Sequence, residues 1–423
     1  MINGKGDRAG YPYNYYDQML QIFMNSVIII GRTLIGGFLI MKRLAVIILI
    51  LFFICTGRVW ADDDEATYKG LSNFTRVLDL IQRDYVENVD AQKLTTSAIE
   101  GMMKTLDPYS AYLSPERYRE LEIGTSGEFG GVGMEVTIEN GVLTVITPIE
   151  DTPAAKAGIK PGDEIIAIDG KATRGMISDE AVKMLRGPKG SPVKVTVKSK
   201  DSETPREITL IRDFIHVKSV ESKLLDNGIG YVKLSQFQEK ASNELKQAIE
   251  KLESMNKGIL KGVILDLRNN PGGLLSQAVD VADQFVDEGL IVSVRGRFED
   301  QSTEYYATRK ENSHNYPLVV LVNKGSASAS EVVAEALQDD KRAVILGTKT
   351  FGKGSVQTII RLEDGSGLKL TTAKFYAPSG RSISQIGVTP DVVVENGKTG
   401  DTQLERAVEL IRTSQVNKLV PKG

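Results

Sequence analysis

Three serines fall within five residues at Ser326-Ala327-Ser328-Ala329-Ser330, after the apolar run Leu318 to Val322 and the turn Asn323-Lys324-Gly325. Where a buried strand meets a helix N-terminus, a serine hydroxyl is held on a sharp exposed turn, and the helix amides favour negative charge beside it. Such a hydroxyl is a weak nucleophile and needs a base. The chain has two histidines, His216 and His314, and neither lies near a nucleophile-like motif. A His-dependent triad is therefore disfavoured, and both histidines read as surface or packing residues. A lysine can serve instead if burial lowers its proton affinity. Lys353, between Gly352 and Gly354 and two residues after Phe351, fits that role. Reading Lys353 to Leu362 as a strand puts Gln357 on the same face, where an amide orients the amine without adding charge. Spacing alone does not separate Ser326, Ser328 and Ser330 as nucleophile, although Ser330 followed by Glu331 reads as a helix cap. Asp266 and Arg268 read as hydrogen-bonding residues that hold a turn.

These residues need elements to place them. Gly262 to Leu267 is a near-continuous apolar run, as expected of a strand buried on both faces, and it ends in Arg268-Asn269-Asn270-Pro271-Gly272-Gly273 before a helix from Leu274. Ile229 to Leu234, Leu318 to Val322 and Ala343 to Leu346 read as further strands. Leu245, Ala248, Ile249 and Leu252 mark an amphipathic helix. Residues 66–120 read as helical, with Leu71, Phe74, Val77, Leu78, Ile81 and Tyr85 in one apolar stripe, expected to pack in a core and, as the alternative, to contact a second copy. Pro108 and the aromatics of Leu106 to Leu113 interrupt it. After Gly400 a short helix is expected, with Thr402 and Glu405 at capping-box spacing.

Composition narrows the classes. A chain of 423 residues suggests two or three domains, and 25% charged with 41% hydrophobic residues suits a globular core. The net charge of −3, without a basic block, argues against nucleic acid. One cysteine, Cys55, and two histidines leave no intrachain disulfide and no zinc motif, so neither metal nor cofactor is expected. Met41-Lys42-Arg43, the apolar stretch Leu44 to Cys55 and the small residue Ala61 before Asp62-Asp63-Asp64-Glu65 make a secretory signal peptide. Val59-Trp60-Ala61 is an imperfect cleavage motif, which keeps an uncleaved anchor open. Residues 1–40 are expected to precede the true start at Met41. Removal of the leader leaves a cysteine-free exported chain.

Between residues 122 and 213 the pattern changes to short strands and glycine turns. Met134, Val136 and Ile138 alternate, and Asn140-Gly141 supplies a hairpin turn. The loop Gly130-Gly131-Val132-Gly133 can converge backbone N–H groups on a carboxylate. With Thr152 to Gly170 following at the proper distance, the region resembles a PDZ domain. That resemblance implies recognition of a peptide's free C-terminus, added as a strand to a sheet edge.

The larger pattern resembles the carboxyl-terminal processing peptidases, or tail-specific proteases, of serine peptidase family S41. It runs from about residue 66 to the C-terminus through Leu106 to Leu113, the PDZ region, Asp266 to Gly273, Gly325 to Glu331 and Thr350 to Gln357. The resemblance implies Ser328 as nucleophile, Lys353 as base, Gln357 as its orienting partner, and the N–H groups of Gly273 and Ala329 as oxyanion hole. It places tail binding at Gly130, Gly131, Val132 and Gly133, with Arg186 sensing the carboxylate. The expected fold is multidomain α/β: a leader (1–61), an N-terminal helical segment (62–121), a PDZ domain (122–213), a crotonase/ClpP-like α/β serine protease core (214–395) and a C-terminal helix and tail (396–423). The expected function is an endopeptidase that cleaves exported proteins near their C-terminus, in the bacterial periplasm or anchored to the membrane facing it. Expected partners are proteins or peptides with exposed apolar C-terminal tails; a homodimer through the terminal helices and an adaptor protein are left open. A non-catalytic PDZ tail-binding scaffold is the alternative, and a crotonase-like acyl-group enzyme a more distant one.

Overall fold

A computed structural model of the chain describes residues 61–199, 202, 204–308, 315–397 and 400–420. The expected signal peptide, the residues before Met41, Cys55 and His314 lie outside the described residues. No helix among the described residues is long and apolar enough to cross a membrane. The chain divides into two compact units, one ending at Asp107 and one running from Pro108 to the C-terminus.

The first unit holds helices α1 (Ala61–Asp84) and α2 (Ala91–Lys104). Asp90 caps α2 by accepting the Gln92 N–H at 2.8 Å. The stripe on α1 was expected to be buried, and it is not. Leu71, Val77 and Tyr85 are 58%, 53% and 57% exposed, and only Leu78 and Ile81 are half-buried. At about 1.5 Å per residue, α2 is some two turns or more shorter than α1 and cannot cover that stripe alone.

The second unit opens with β1 (Ala111–Leu113) and α3 (Pro115–Ser126). Ser114 caps α3, Pro115 fits the first turn without losing a bond, and Gly127 ends it in the left-handed region at φ 71°. Then β2 (Glu128–Gly131) leads into a small sheet domain. Its elements are β3 (Met134–Glu139), β4 (Val142–Pro148), α4 (Pro153–Lys156), β5 (Glu164–Ile168), β6 (Lys171–Ala172), α5 (Ser178–Leu185), β7 (Pro192–Lys198) and β8 (Arg206–Ile211). The strand order is β3-β4-β5-β7-β8, with β6 on β5. Asn140 and Gly141 both take positive φ, the primed hairpin turn that the sequence predicts. Leu143, Val145, Ile165, Ile168, Val193, Val195 and Val197 form the buried face. β9 (Asp213–His216) returns antiparallel to β2, so this two-stranded ribbon carries the chain into and out of the small domain.

The large domain contains β10 (Val220–Leu225), β11 (Ile229–Leu234), α6 (Ala241–Met255), β12 (Gly262–Asp266), α7 (Leu275–Asp283), β13 (Leu290–Gly296), β14 (Thr303–Tyr306), β15 (Leu318–Val322), α8 (Ala329–Asp339), β16 (Val344–Gly347), β17 (Ser355–Arg361), β18 (Gly367–Tyr376), β19 (Val392–Val393), α9 (Thr402–Arg412) and α10 (Val416–Leu419). Six strands make one sheet in the order β10-β11-β12-β15-β16-β19, parallel from β11 onward. Val263, Leu265, Leu318 and Val320 face one core with α6, α7 and α8, while Ile264, Val319 and Leu321 face another with α9 and α10. Burial of both faces explains why β12 and β15 read as unbroken apolar runs. A second, antiparallel sheet has the order β1-β18-β13-β14, with β17 also on β18.

Beside the end of β12, Arg268 bridges Asp266 and Asp401 with contacts of 2.6 and 2.7 Å, and the Tyr231 hydroxyl also donates to Asp266. Asp401 is the N-cap of α9, accepting from the Leu404 N–H, so the cap lies one residue before the expected Thr402. The Thr402 hydroxyl instead donates to the Glu395 carbonyl. The hydrogen bond from Arg268 holds the Asp401 carboxyl below the usual carboxylate range. A depressed folded value contributes stability above the unfolded value, near pH 4, that is lost as pH falls through the folded value. Asp401→Asn keeps a competent cap but removes the charge. It should cost about 1 kcal/mol at pH 7 and remove this part of the acid sensitivity below pH about 4, as urea unfolding between pH 2 and 7 would show.

Candidate active site

The C-terminal ends of neighbouring parallel strands are where open α/β sheets place ligands. Here the turns after β12 and β15 are bonded to each other. The Asn323 side chain accepts from the Asn269 N–H at 2.9 Å and donates to the Asn269 side chain at 3.0 Å. The Ala327 N–H donates to the Asn270 carbonyl. Asn270, fully buried, donates to the Leu234 carbonyl and accepts from the Gly272 N–H.

This bonding separates the three serines. The Ser326 hydroxyl donates to the Leu267 carbonyl at 2.8 Å, and the Ser330 hydroxyl to the Asn270 carbonyl at 2.9 Å; both residues are fully buried. Ser330 lies inside α8 and is not its cap. Ser328 is the N-cap residue, partly exposed, with φ 56° and ψ −114°. That conformation is costly for a residue with a Cβ and is typical of functional turns. Its hydroxyl donates to no acceptor among the described residues, so its proton is uncommitted. Gly272 presses against this elbow at φ 105°; a Cβ there would lie 2.8–3.0 Å from Ala327 O, Ser328 Cβ and Ala329 N. Neither the Gly273 nor the Ala329 N–H donates to another backbone group among the described residues.

The residue that holds the elbow is Glu331, which sequence reasoning took only as the neighbour of a cap. Its carboxylate is fully buried. One oxygen accepts from the Thr350 hydroxyl at 2.5 Å and the Gly352 N–H at 2.6 Å. The other accepts from the Ser328 N–H at 2.8 Å and the Lys353 N–H at 2.9 Å. The Phe351 N–H adds a bond to the Ser326 carbonyl. The Ser328-x-x-Glu331 capping-box spacing was the available signal, had it been assigned to Ser328.

Lys353 lies in the loop before β17, not on the strand. The register of β17 against β18 also shifts between Val356 and Gln357, so strand alternation does not relate Lys353 to Gln357. The structure does not bond the two. The Gln357 amide donates to the Ser355 hydroxyl at 2.8 Å and the Thr371 hydroxyl at 3.3 Å. Burial, with help from the Lys369 charge, pushes the Lys353 ammonium below the usual lysine range, against an opposing pull from Glu331. His216 is elsewhere, half-buried on β9 with its imidazole bonded to Glu244 of α6.

In the small domain the expected residues do come together. The Gly187 N–H donates to the Gly130 carbonyl at 3.1 Å, and Arg186 stacks over the Phe129 ring at 4.7 Å. The Val132 side chain is buried in the domain core. The Val132 and Gly133 N–H groups have no backbone acceptor among the described residues. Gly133 has φ 76° and approaches Thr152 so closely that a Cβ would lie 2.2 Å from the Thr152 Cβ. Arg212, which sequence reasoning did not single out, donates to the Met184 and Leu185 carbonyls and fixes the end of α5 from which Arg186 emerges. β3 pairs only with β4 among the described strands, and α5 packs beside it.

Comparison with known proteins identifies relatives along most of the chain. The chain matches peptidase family S41 over residues 228–394, the PDZ domain over 144–199, and the N-terminal domain of the activating protease CtpB over 58–117. It is 47% identical to the carboxy-terminal-processing protease of Bartonella bacilliformis, covering 80% of this chain and 78% of that one. Identity is 40% to the carboxyl-terminal-processing protease of Synechocystis (78% and 80% covered), and 38% to the carboxy-terminal processing protease CtpA of Bacillus subtilis (85% and 77%). The chain belongs to the carboxyl-terminal-processing proteases, serine-type peptidases of family S41 that act on protein substrates.

Proposed function

We propose that this protein is an endopeptidase that cleaves near the C-terminus of exported proteins through Ser328 and Lys353. The observation that carries the reading is the sorting of the three serines. Ser326 and Ser330 spend their hydroxyl protons on buried carbonyls, while the Ser328 hydroxyl, on a strained elbow, donates to no acceptor among the described residues. Neutral Lys353 takes the Ser328 proton as the hydroxyl oxygen attacks the scissile carbonyl. The developing oxyanion is met by the N–H groups of Gly273 and Ala329. Lys353 returns the proton to the departing amine, and water then hydrolyses the acyl-enzyme. Gln357 orients the Lys353 amine once it turns toward Ser328.

The PDZ domain recognises the tail. The chain end adds to the free edge of β3, its carboxylate meets the open amides of Val132 and Gly133 in the loop with Gly130 and Gly131, and Arg186 supplies charge beside them. Export rests on the leader sequence. The exposed apolar stripe of α1 supports a homodimer through the N-terminal helices, since a stripe of this size is rarely left in water.

Ser328→Ala and Lys353→Ala should each lower kcat by on the order of 10⁴-fold or more on a polypeptide with an apolar C-terminal tail, with tail binding retained. Full cleavage by either variant would refute the dyad, and tail binding with no cleavage by the wild type would favour a scaffold. Glu331→Gln replaces two acceptor oxygens by one and turns an amide toward a donor. It should destabilise the protein by about 2–3 kcal/mol and lower kcat on the order of 100-fold with little change in KM, measured by urea unfolding and steady-state kinetics.

A further inference from the structure

In this structure Lys353 does not hydrogen-bond to Ser328 or Gln357. Its Nζ stands over the Tyr109 ring, 5.2 Å from the centroid. The face of an aromatic ring attracts an ammonium and has no comparable attraction for a neutral amine. The contact therefore favours the protonated, inactive form of the base and holds it off the nucleophile.

Tyr109 is itself anchored. Next to it, Ser110 is buried, donates to the Thr371 hydroxyl at 3.4 Å and accepts the Thr371 N–H at 3.1 Å. Ala111 to Leu113 then pair with Lys369 to Gly367 of β18. The same Thr371 hydroxyl accepts from the Gln357 amide. One short strap thus meets Lys353 through its ring and reaches Gln357 indirectly through Thr371, and Lys353 and Gln357 are not bonded to each other.

We propose that Tyr109 is a positioning residue, and that the strap of residues 108–113 is an autoinhibitory clasp which parks protonated Lys353 away from Ser328 until substrate engagement releases it. On release Lys353 gives its proton to solvent and the neutral amine turns to the Ser328 hydroxyl. The inference rests on the dyad reading above. Burial and the Lys369 charge of β18 favour the neutral amine, while Glu331 of α8 and the ring face favour the ammonium. Removal of the ring leaves that balance shifted toward the amine.

The test is the pH profile of kcat and kcat/KM for the full chain on a quenched-fluorescence peptide with an apolar free C-terminus. Tyr109→Leu should raise kcat at neutral pH about fivefold or more, move the acid limb to lower pH and leave KM unchanged. Tyr109→Phe keeps the ring face and should match the wild type. Ser110→Ala, which loosens the anchor without touching the ring, should shift the profile in the same direction as Tyr109→Leu. A Tyr109→Leu profile that superimposes on the wild type, or lower activity with an unmoved acid limb, would overturn the clasp, as would a Phe variant that behaves like Leu. Lys353→Met serves as the reference. If it is inactive while Tyr109→Leu leaves the profile unmoved, the clasp alone fails; if it is active, the clasp and the dyad fail together.

Discussion

The buried carboxylate of Glu331 is the interaction on which the site depends. A charge removed from water is tolerated only when its lone pairs are met. Here four donors meet them, from Ser328, Thr350, Gly352 and Lys353. Three are backbone amides, so the carboxylate fixes the path of the chain and not merely a side chain. It closes the elbow that exposes the Ser328 hydroxyl, and it draws the lysine-bearing loop from the end of β16 onto the first turn of α8. Ser328 and Lys353, the proposed nucleophile and base, follow different strands, yet one group positions the backbone of both.

The parallel sheet supplies the other half of the geometry. The loops after β12, β15 and β16 leave the same edge, and asparagine side chains bond the first two together while Thr350 ties the third to Glu331. Gly272 permits the first loop to press on the elbow, against Ala327, Ser328 and Ala329. The ribbon of β2 and β9 joins this machinery to the small domain, and the strap from Pro108 enters from the opposite end of the sequence. The small domain, the strap and the Ser328 elbow are thus separate elements that share one scaffold.

Much of this was legible in the sequence, for physical reasons. Strands β12 and β15 are buried on both faces and leave continuous apolar runs, and Asn140-Gly141 announces a hairpin because few other pairs accept positive φ twice. The resemblance pointed to Ser328, Lys353 and the glycine loop as the residues of the proposed site. What sequence could not give was partnership at a distance. Glu331 looked like a local cap partner, because capping and the reach to Thr350 and Gly352 have the same local signature. The bulge at Gln357 broke a strand alternation that residue types do not encode. Tyr109 carried no chemical signal until its ring was seen under Lys353. Exposure of the α1 stripe likewise depends on what packs against it, which a periodic pattern does not state.

The most direct test of the central claim is to trap the nucleophile with a serine-directed fluorophosphonate and locate the adduct by tandem mass spectrometry. A single adduct on Ser328 is expected, formed faster as pH rises through the titration of Lys353. An adduct on Ser326 or Ser330, or one on Ser328 whose rate is indifferent to replacement of Lys353, would contradict it.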